Sequence, residues 1–144
     1  MLENLLLGTG VIAVTVVTHT LGLIQITKSM EALIGWLRLH THSLGKTVAM
    51  VSTVLCLFLL HTVEVWTWAG ALLAVHAISD FEQALYFSTV TFSTVGYGDV
   101  TLMPPWRLFG ALEGVNGFLL IGWSTAYLVA ASTRFGPFRV GEHF

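Results

Sequence analysis

The sequence predicts an all-α membrane protein with three spanning helices and one segment that enters the membrane and returns. Hydrophobic residues make up 55% of the 144 residues, charged residues only 10%, and the mean hydropathy is +0.80. This composition lies outside the range of soluble domains. The net charge of −2 and the scattered Lys and Arg residues exclude nucleic acid as a partner. The expected surroundings are therefore a lipid bilayer.

The first predicted element is an N-terminal transmembrane helix over residues 1–27. Its apolar run from about Leu5 to Ile26 contains no charged residue and is long enough to cross a bilayer. A signal peptide is excluded because Glu3 stands where basic residues would be needed. The apolar run is also too long, and no small-residue cleavage site follows it.

Residues 28–46 are predicted to form a cytoplasmic interfacial amphipathic helix. Apolar residues recur there with the spacing of one helical face: Met30, Leu33, Ile34 and Leu37. Such a helix lies flat on the membrane surface, and the alternative is a solvated loop. His40 and His42 form a His-x-His pattern that is a weak signal for a metal, and two exposed loop residues are the simpler interpretation.

Residues 47–144 form the third predicted unit, with spans over 47–77 and 105–133. The later span follows Pro104 and Pro105, which suit the first turn of a helix. Between the spans, Ser79 and Glu82 have the spacing of a capping box, which predicts a short helix over 80–93. The stretch from 79 to 100 is too short to cross twice, so it must dip into the membrane and return.

Charge predicts the orientation of these spans. The basic residues of the first connecting segment and of the tail are Lys28, Arg38, Lys46, Arg134 and Arg139. By the positive-inside rule both regions are cytoplasmic, so the N-terminus and the segment before the last span face outward. We expect an integral protein of the plasma (inner) membrane with its C-terminus in the cytoplasm.

The most specific motif is Thr94-Val95-Gly96-Tyr97-Gly98-Asp99, directly after the short helix. With a span on either side, this motif resembles the selectivity filter of the potassium-channel pore family. The resemblance implies a tetrameric potassium-channel pore fold with outer helix 47–77, re-entrant pore helix 80–93, filter 94–99 and inner helix 105–133. The N-terminal transmembrane helix and the interfacial helix are additions to that fold.

The residue types in the motif suit a dehydrated cation. An ion gives up its water only where other oxygens replace it, so backbone carbonyls must point at one axis. Gly96 and Gly98 adopt the required backbone angles at low cost. The expected K+ ligands are the carbonyls of Thr94, Val95, Gly96 and Tyr97, with the Thr94 hydroxyl. One loop cannot surround an ion, so the expected partners are three further copies in a homotetramer.

Residues around the motif have two interpretations each. Asp99 either contributes to a ring of carboxylates at the outer mouth or makes a hydrogen bond behind the filter. By resemblance, Tyr86 and Phe87 support the filter, although aromatic residues in membrane helices also simply fill the core. Val90 stands where some family members carry a carboxylate, which weakens any transfer of their filter inactivation.

The last span resembles the inner helix of the family. Gly117 and Gly122 are the candidate gating hinges, and close helix packing is the alternative role for both. Phe118, Ile121 and Thr125 share one face with Val129 and are expected to line the ion path.

Three ionisable residues in the spans are candidates for a pH-sensitive site: His61, Glu64 and Glu113. Ionisable groups at membrane depth often have a function. The alternative is a structural role as interface residues bonded to the outer loops.

The predicted function is passive K+ conduction by a potassium-selective channel. A weakly selective cation channel and a non-conducting accessory membrane subunit are the alternatives. The chain shows no arrangement of nucleophile, base, paired acids or metal ligands, so an enzyme is not expected. No cofactor is expected beyond the permeant K+.

Overall fold

A computed structural model describes residues 1–37, 43–134 and 141, and the regular structure within them is helical. The helices are α1 (Leu2–Leu37), α2 (Ser43–Ala74), α3 (Phe81–Phe92) and α4 (Arg107–Arg134), with a short 3-10 turn over Pro104–Trp106 before α4. In the described part of the chain, three helices are long and apolar enough to cross a membrane: α1, α2 and the turn with α4. The three predicted spans are confirmed by this architecture.

The boundary predicted after residue 27 is wrong, because α1 continues unbroken to Leu37. Met30 and Ile34 are buried and continue the stripe of Leu23 and Ile26, and Met30 packs with Leu57 of α2. A face buried against a neighbouring helix is unavailable to the membrane surface. Residues 28–37 are thus the last turns of α1, residues 43–46 begin α2, and residues 38–42 lie outside the described ranges.

The helix ends otherwise differ little from expectation. α2 begins four residues earlier than predicted and ends at Ala74, and a turn with His76 at a φ of 54° follows it. α1 has 36 residues, so it is about 54 Å long, against roughly 30 Å of bilayer hydrocarbon. It therefore extends beyond the apolar layer or tilts within it.

The polar contacts fix the relative directions of the three long helices. His19 pairs with Glu64, and Gly22 lies against Leu60, so α1 and α2 are antiparallel. α1 and α4 are parallel, as four hydrogen-bonded pairs along their lengths show: Asn4–Pro105, Thr15–Asn116, Thr27–Tyr127 and Glu31–Arg134. The two ends of α1 thus lie beside the corresponding ends of α4.

The main core joins α2, α3 and α4 and holds α3 in place. Trp68 of α2 and Phe109 of α4 are fully buried, with ring centroids 5.2 Å apart. α3 adds Ala84, Phe87 and Phe92 to the same cluster. Because three of its twelve residues are anchored in this way, α3 presents its carboxyl end and the following segment in a fixed position.

Candidate functional site

α3 begins at a side-chain cap. The Asp80 carboxylate accepts a hydrogen bond of 2.8 Å from the backbone N–H of Gln83, so Asp80 is the N-cap. The predicted short helix is present, but its cap is Asp80 and not the Ser79–Glu82 capping box. An aspartate suits this position because its oxygen satisfies a free N–H group and its charge favours the helix N-terminus.

The segment Thr94–Asp99 leaves the other end of α3 by a tight reversal. The backbone N–H of Thr94 donates to the carbonyl of Thr91, and that of Gly96 donates to the carbonyl of Val90, each at 3.0 Å. The Ser93 hydroxyl also donates to the carbonyl of Thr89 at 2.7 Å. Carbonyls in the last turn of α3 therefore accept bonds from the first residues of the segment.

Backbone angles in this segment alternate in sign. Thr94, Gly96 and Gly98 have φ values of 62°, 54° and 77°, while Val95 and Tyr97 are not among the residues with positive φ. In an ordinary strand, successive peptide groups point in opposite directions. A change of sign at every second residue counteracts this alternation. Thr94 pays a steric cost for its positive φ because its side chain is β-branched.

The whole segment is exposed on the single chain. Two large apolar side chains stand open there, Val95 at 52% and Tyr97 at 73% exposure. Lipid tails leave the polar groups of an irregular backbone unpaired, and water is unfavourable for exposed valine and tyrosine side chains. We therefore expect further protein to cover the surface around the segment.

Tyr86 and Asp99 are joined by a hydrogen bond. The Tyr86 hydroxyl donates to Oδ2 of Asp99 at 2.6 Å, and the backbone N–H of Val100 donates to Oδ1 at 3.1 Å. The bond from Tyr86 holds the pKa of the Asp99 carboxyl below its ordinary value, and the same bond raises the pKa of the Tyr86 hydroxyl. The structure thus contains the hydrogen bond to α3, which is one of the two interpretations of Asp99.

Phe87 lies on the other side of α3. Its side chain is 8% exposed and belongs to the main core, where its ring approaches Gly110 of α4. A Cβ added at Gly110 would come within 3.1 Å of that ring. Phe87 therefore fixes α3 to α4, and its predicted support of the 94–98 segment stays a prediction.

The face of α4 predicted to line the ion path is largely uncovered by the rest of the chain. Phe118 is 67% exposed, Thr125 is exposed, and Ile121 is half-buried against the main core. Gly117 is buried directly against the backbone of Phe92, whereas the described chain leaves open space beside Gly122. The two glycines thus have different surroundings, although the sequence treats them alike.

A cluster of polar groups lies between the long helices. His61 Nδ1 and Glu64 Oε2 are 2.7 Å apart, as their i, i+3 spacing on α2 suggests. The structure adds His19 of α1, whose Nδ1 is 2.8 Å from Glu64 Oε1, and Ser124 of α4, whose Oγ is 2.9 Å from His61 Nε2. Sequence reasoning missed His19 because 45 residues separate it from Glu64. The available signal in the sequence was the presence of a histidine, His19, within an otherwise uncharged span.

Glu113 is apart from this cluster. It is fully buried, and neither of its carboxylate oxygens lies at hydrogen-bond distance and angle to another group among the described residues. The polar group that interacts with its carboxyl is the buried Ser88 hydroxyl of α3. The structure brings together two of the three residues predicted to sense pH, and that role stays a prediction for all three.

Comparison with known proteins gives one finding. A family model described as an ion channel matches residues 47–134, which contain most of α2 and all of α3, the 94–99 segment and α4. The same comparisons found no matching curated protein and no matching solved structure. The match covers more than half of the chain and leaves α1 outside it.

Proposed function

We propose, from the premise that this chain belongs to the ion channel family, that four copies of it form a potassium-selective channel. The chain is an integral membrane protein by its three long apolar helices. In this proposal K+ crosses the membrane passively, down its own gradient. The observation that carries the proposal is the positive φ at residues 94, 96 and 98, within a Thr-Val-Gly-Tyr-Gly motif.

The chemistry of a K+ site accounts for that backbone. A potassium ion entering the membrane must exchange its water for other oxygens, and backbone carbonyls are well suited to it. Alternating φ signs let carbonyls of consecutive residues face one side, so Thr94 to Tyr97 supply a row of oxygens and the Thr94 hydroxyl extends it. Selectivity for K+ then rests on the number and spacing of these oxygens.

α3 favours a cation at the inner end of the segment. A helix carries a partial negative charge at its carboxyl end. α3 ends at Phe92, two residues before Thr94, and its final carbonyls lie beside the segment. Four such helix ends around one axis would stabilise a cation there.

The exposure of the segment supports assembly into a tetramer. A single chain supplies one row of oxygens, and Val95 and Tyr97 are left uncovered. Neighbouring copies would cover those side chains and complete the ring of oxygens. The face of α4 with Phe118 and Thr125 would line the path below.

The Tyr86–Asp99 bond supports a role in bracing the filter. It ties the residue after the motif to α3, at an exposed edge of the chain. Asp99 stays ionised at neutral pH in this arrangement and also contributes negative charge near the outer mouth. The two roles predicted for Asp99 are therefore compatible.

Flux from liposomes containing the purified protein tests the proposal. We expect uptake of K+ and Rb+, little uptake of Na+, and block by Ba2+. Sodium flux of similar size would indicate a weakly selective cation channel. Absence of flux would indicate an accessory subunit. Native mass measurement should give four times the 15.7 kDa of one chain.

Two glycine variants provide the matched comparison. Gly96→Ala forces a side chain onto a φ of 54°, which costs about 1–2 kcal/mol in each chain, so selective flux should be lost. Gly10→Ala lies in α1 with open space beside it among the described residues, so flux should be retained. Equal flux in both variants would contradict the assignment of the filter.

A further inference from the structure

We propose that His19, His61 and Glu64 bind one divalent transition-metal ion, Zn2+ by their ligand chemistry, at the junction of α1, α2 and α4. One possible ligand atom from each of the three residues lies within 4.8 Å of the others. His19 and Glu64 are fully buried, and His61 is half-buried. This site is separate from the proposed K+ ligands and does not depend on them.

The donor set is the first argument. Two imidazole nitrogens and one carboxylate oxygen are the ligands of many zinc sites that keep a fourth position open. The two Nδ1–Oε distances, 2.8 Å for His19 and 2.7 Å for His61, are those of hydrogen bonds. Ligands of a tetrahedral zinc ion stand about 3.3 Å apart. A pair that binds the ion through both of these atoms therefore needs to separate by roughly half an ångström to admit it.

The surroundings of the ligands are the second argument. Ser124 Oγ lies 2.9 Å from Nε2 of His61, so it orients the ring from the side away from Glu64. A metal-bound histidine usually has such a partner on its second nitrogen. Since a hydroxyl can either donate or accept, Ser124 suits both the proton-bearing and the metal-bound ring.

An unsatisfied atom is the third argument. Nε2 of His19 is buried and has no hydrogen-bond partner within the described ranges. The protein itself therefore leaves one imidazole nitrogen of the cluster unused, which is costly at membrane depth. Because Nδ1 of His19 carries the ring proton towards the Glu64 carboxylate, the free lone pair of the ring is on Nε2, which can bind an ion while the bond to Glu64 persists.

Access and charge are compatible with a bound ion. His61 lines a cavity of about 380 Å³ whose walls are mainly apolar and include Thr62, Thr89 and Ser93, which leaves room for a water as fourth ligand. Glu64 offsets one of the two charges of the ion. A hydroxide formed from the bound water would offset the other.

The site is close to the proposed filter. The ring of His61 is 5.9 Å from that of Phe92, the last residue of α3. An ion here would cross-link α1 and α2 beside the carboxyl end of α3. We therefore expect metal to stabilise the folded protein and to slow movements of α1 against α2.

Cobalt is the probe for the test, because Co2+ in a tetrahedral site absorbs visible light. The full-length protein in detergent is stripped with a chelator and titrated with Co2+, in a background with His40→Ala and His42→Ala to remove the other histidine pair. We expect one Co2+ per chain, displacement by Zn2+, and a rise in Tm with added Zn2+.

Single variants then identify the ligands. His19→Ala and Glu64→Gln should each abolish the cobalt spectrum and the Tm shift. Ser124→Ala should weaken binding about tenfold, and this milder change guards against a loss of folding in the ligand variants. His76→Ala, an exposed histidine after α2, should leave binding unchanged.

Two results would overturn the proposal: no stoichiometric Co2+ binding, or binding that persists in both His19→Ala and Glu64→Gln. The cluster would then be a hydrogen-bonded network that takes up protons alone. Flux in liposomes is measured separately, so a failure of this site leaves the proposed channel function standing.

Discussion

At position 94 a threonine holds a backbone conformation that glycine usually occupies. The sequence predicts positive φ at Gly96 and Gly98, and both are observed, but no pattern singles out Thr94. Its conformation is imposed by its position directly after α3, where its N–H bonds to the carbonyl of Thr91. A strained residue of this kind persists only when its surroundings require it, which is typical of functional segments.

The two glycines of α4 should respond differently to alanine. A Cβ at Gly117 would collide with the backbone carbonyl of Phe92, and overpacking of this kind costs roughly 1–3 kcal/mol. Gly122 has open space beside it in the described chain, and alanine is the better helix former by about 1 kcal/mol. Thermal unfolding in detergent should show a lower Tm for Gly117→Ala only.

This comparison also separates packing from hinge function. Altered open probability in Gly122→Ala without a fall in Tm would assign the hinge to Gly122, because a loss of packing would not explain the change in gating. Gly117→Ala with wild-type stability would contradict the close approach of α4 to α3.

Acid should weaken the Tyr86–Asp99 bond. The pKa of Asp99 is lowered by Tyr86, so the stabilisation from this bond is complete above the ordinary aspartate range. It is lost as the pH falls through the lowered value. In Tyr86→Phe the carboxyl regains a higher pKa, so the loss of current on external acidification should begin at a higher pH.

Current recorded against external pH measures that shift. Asp99→Asn serves as the control, because it removes the titrating group. Added to the wild type and to Tyr86→Phe, it should remove the difference between their acid profiles. Identical acid profiles for wild type and Tyr86→Phe would show that the bond does not affect the titration.

The sequence predicts which helices exist better than it predicts where they end and what they contact. Hydropathy locates all three spans, and the Ser79–Glu82 pattern locates the start of α3 although the observed cap is Asp80. The break expected after residue 27 is absent because the apolar stripe of residues 28–37 continues the stripe of the preceding turns. Only the position of Leu57 in the fold shows that the two parts of the stripe belong to one interface. Partners 45 or 101 residues away, as for His19 and Thr15, follow from the fold alone.

The bond between Thr15 and Asn116 is expected to contribute to the docking of α1 on α4. Nδ2 of Asn116 donates to the Thr15 hydroxyl at 2.8 Å, and both residues are buried. A double-mutant cycle with Thr15→Val and Asn116→Leu should give a coupling energy of about 0.6 kcal/mol, the average for such bonds in membranes. Reversible unfolding in detergent and lipid measures it.

A second cycle provides the baseline. Thr15→Val is combined with Thr125→Val, whose hydroxyl bonds within its own helix to the carbonyl of Ile121. The coupling there should be zero. A coupling as large as that with Asn116 would show that the first value does not report the bond.

For the whole molecule, helix directions and charge together predict the orientation. α1 and α4 run in the same direction, and Lys28, Lys46 and Arg134 lie towards the ends of the long helices away from the 94–99 segment. The positive-inside rule predicts that those ends lie in the cytoplasm. The N-terminus and Asp99 should then face outward.

Labelling of single cysteines tests this orientation. In a Cys56→Ala background, Glu3→Cys should react with a membrane-impermeant reagent from outside intact cells, and Thr133→Cys should react only after permeabilisation. The reverse pattern would place the 94–99 segment on the cytoplasmic side.

The parallel contacts between α1 and α4 have a mechanical consequence. They extend past Gly122, through Thr27–Tyr127 and Glu31–Arg134. If α4 bends at that glycine, its carboxyl-terminal half must either drag α1 outward or break those bonds. Since α1 exposes Val14, Val17 and Leu21 on its outer side, dragging it would enlarge the cross-section of the protein in the membrane. Lateral tension in the membrane would then favour the bent state of α4, because that state has the larger cross-section.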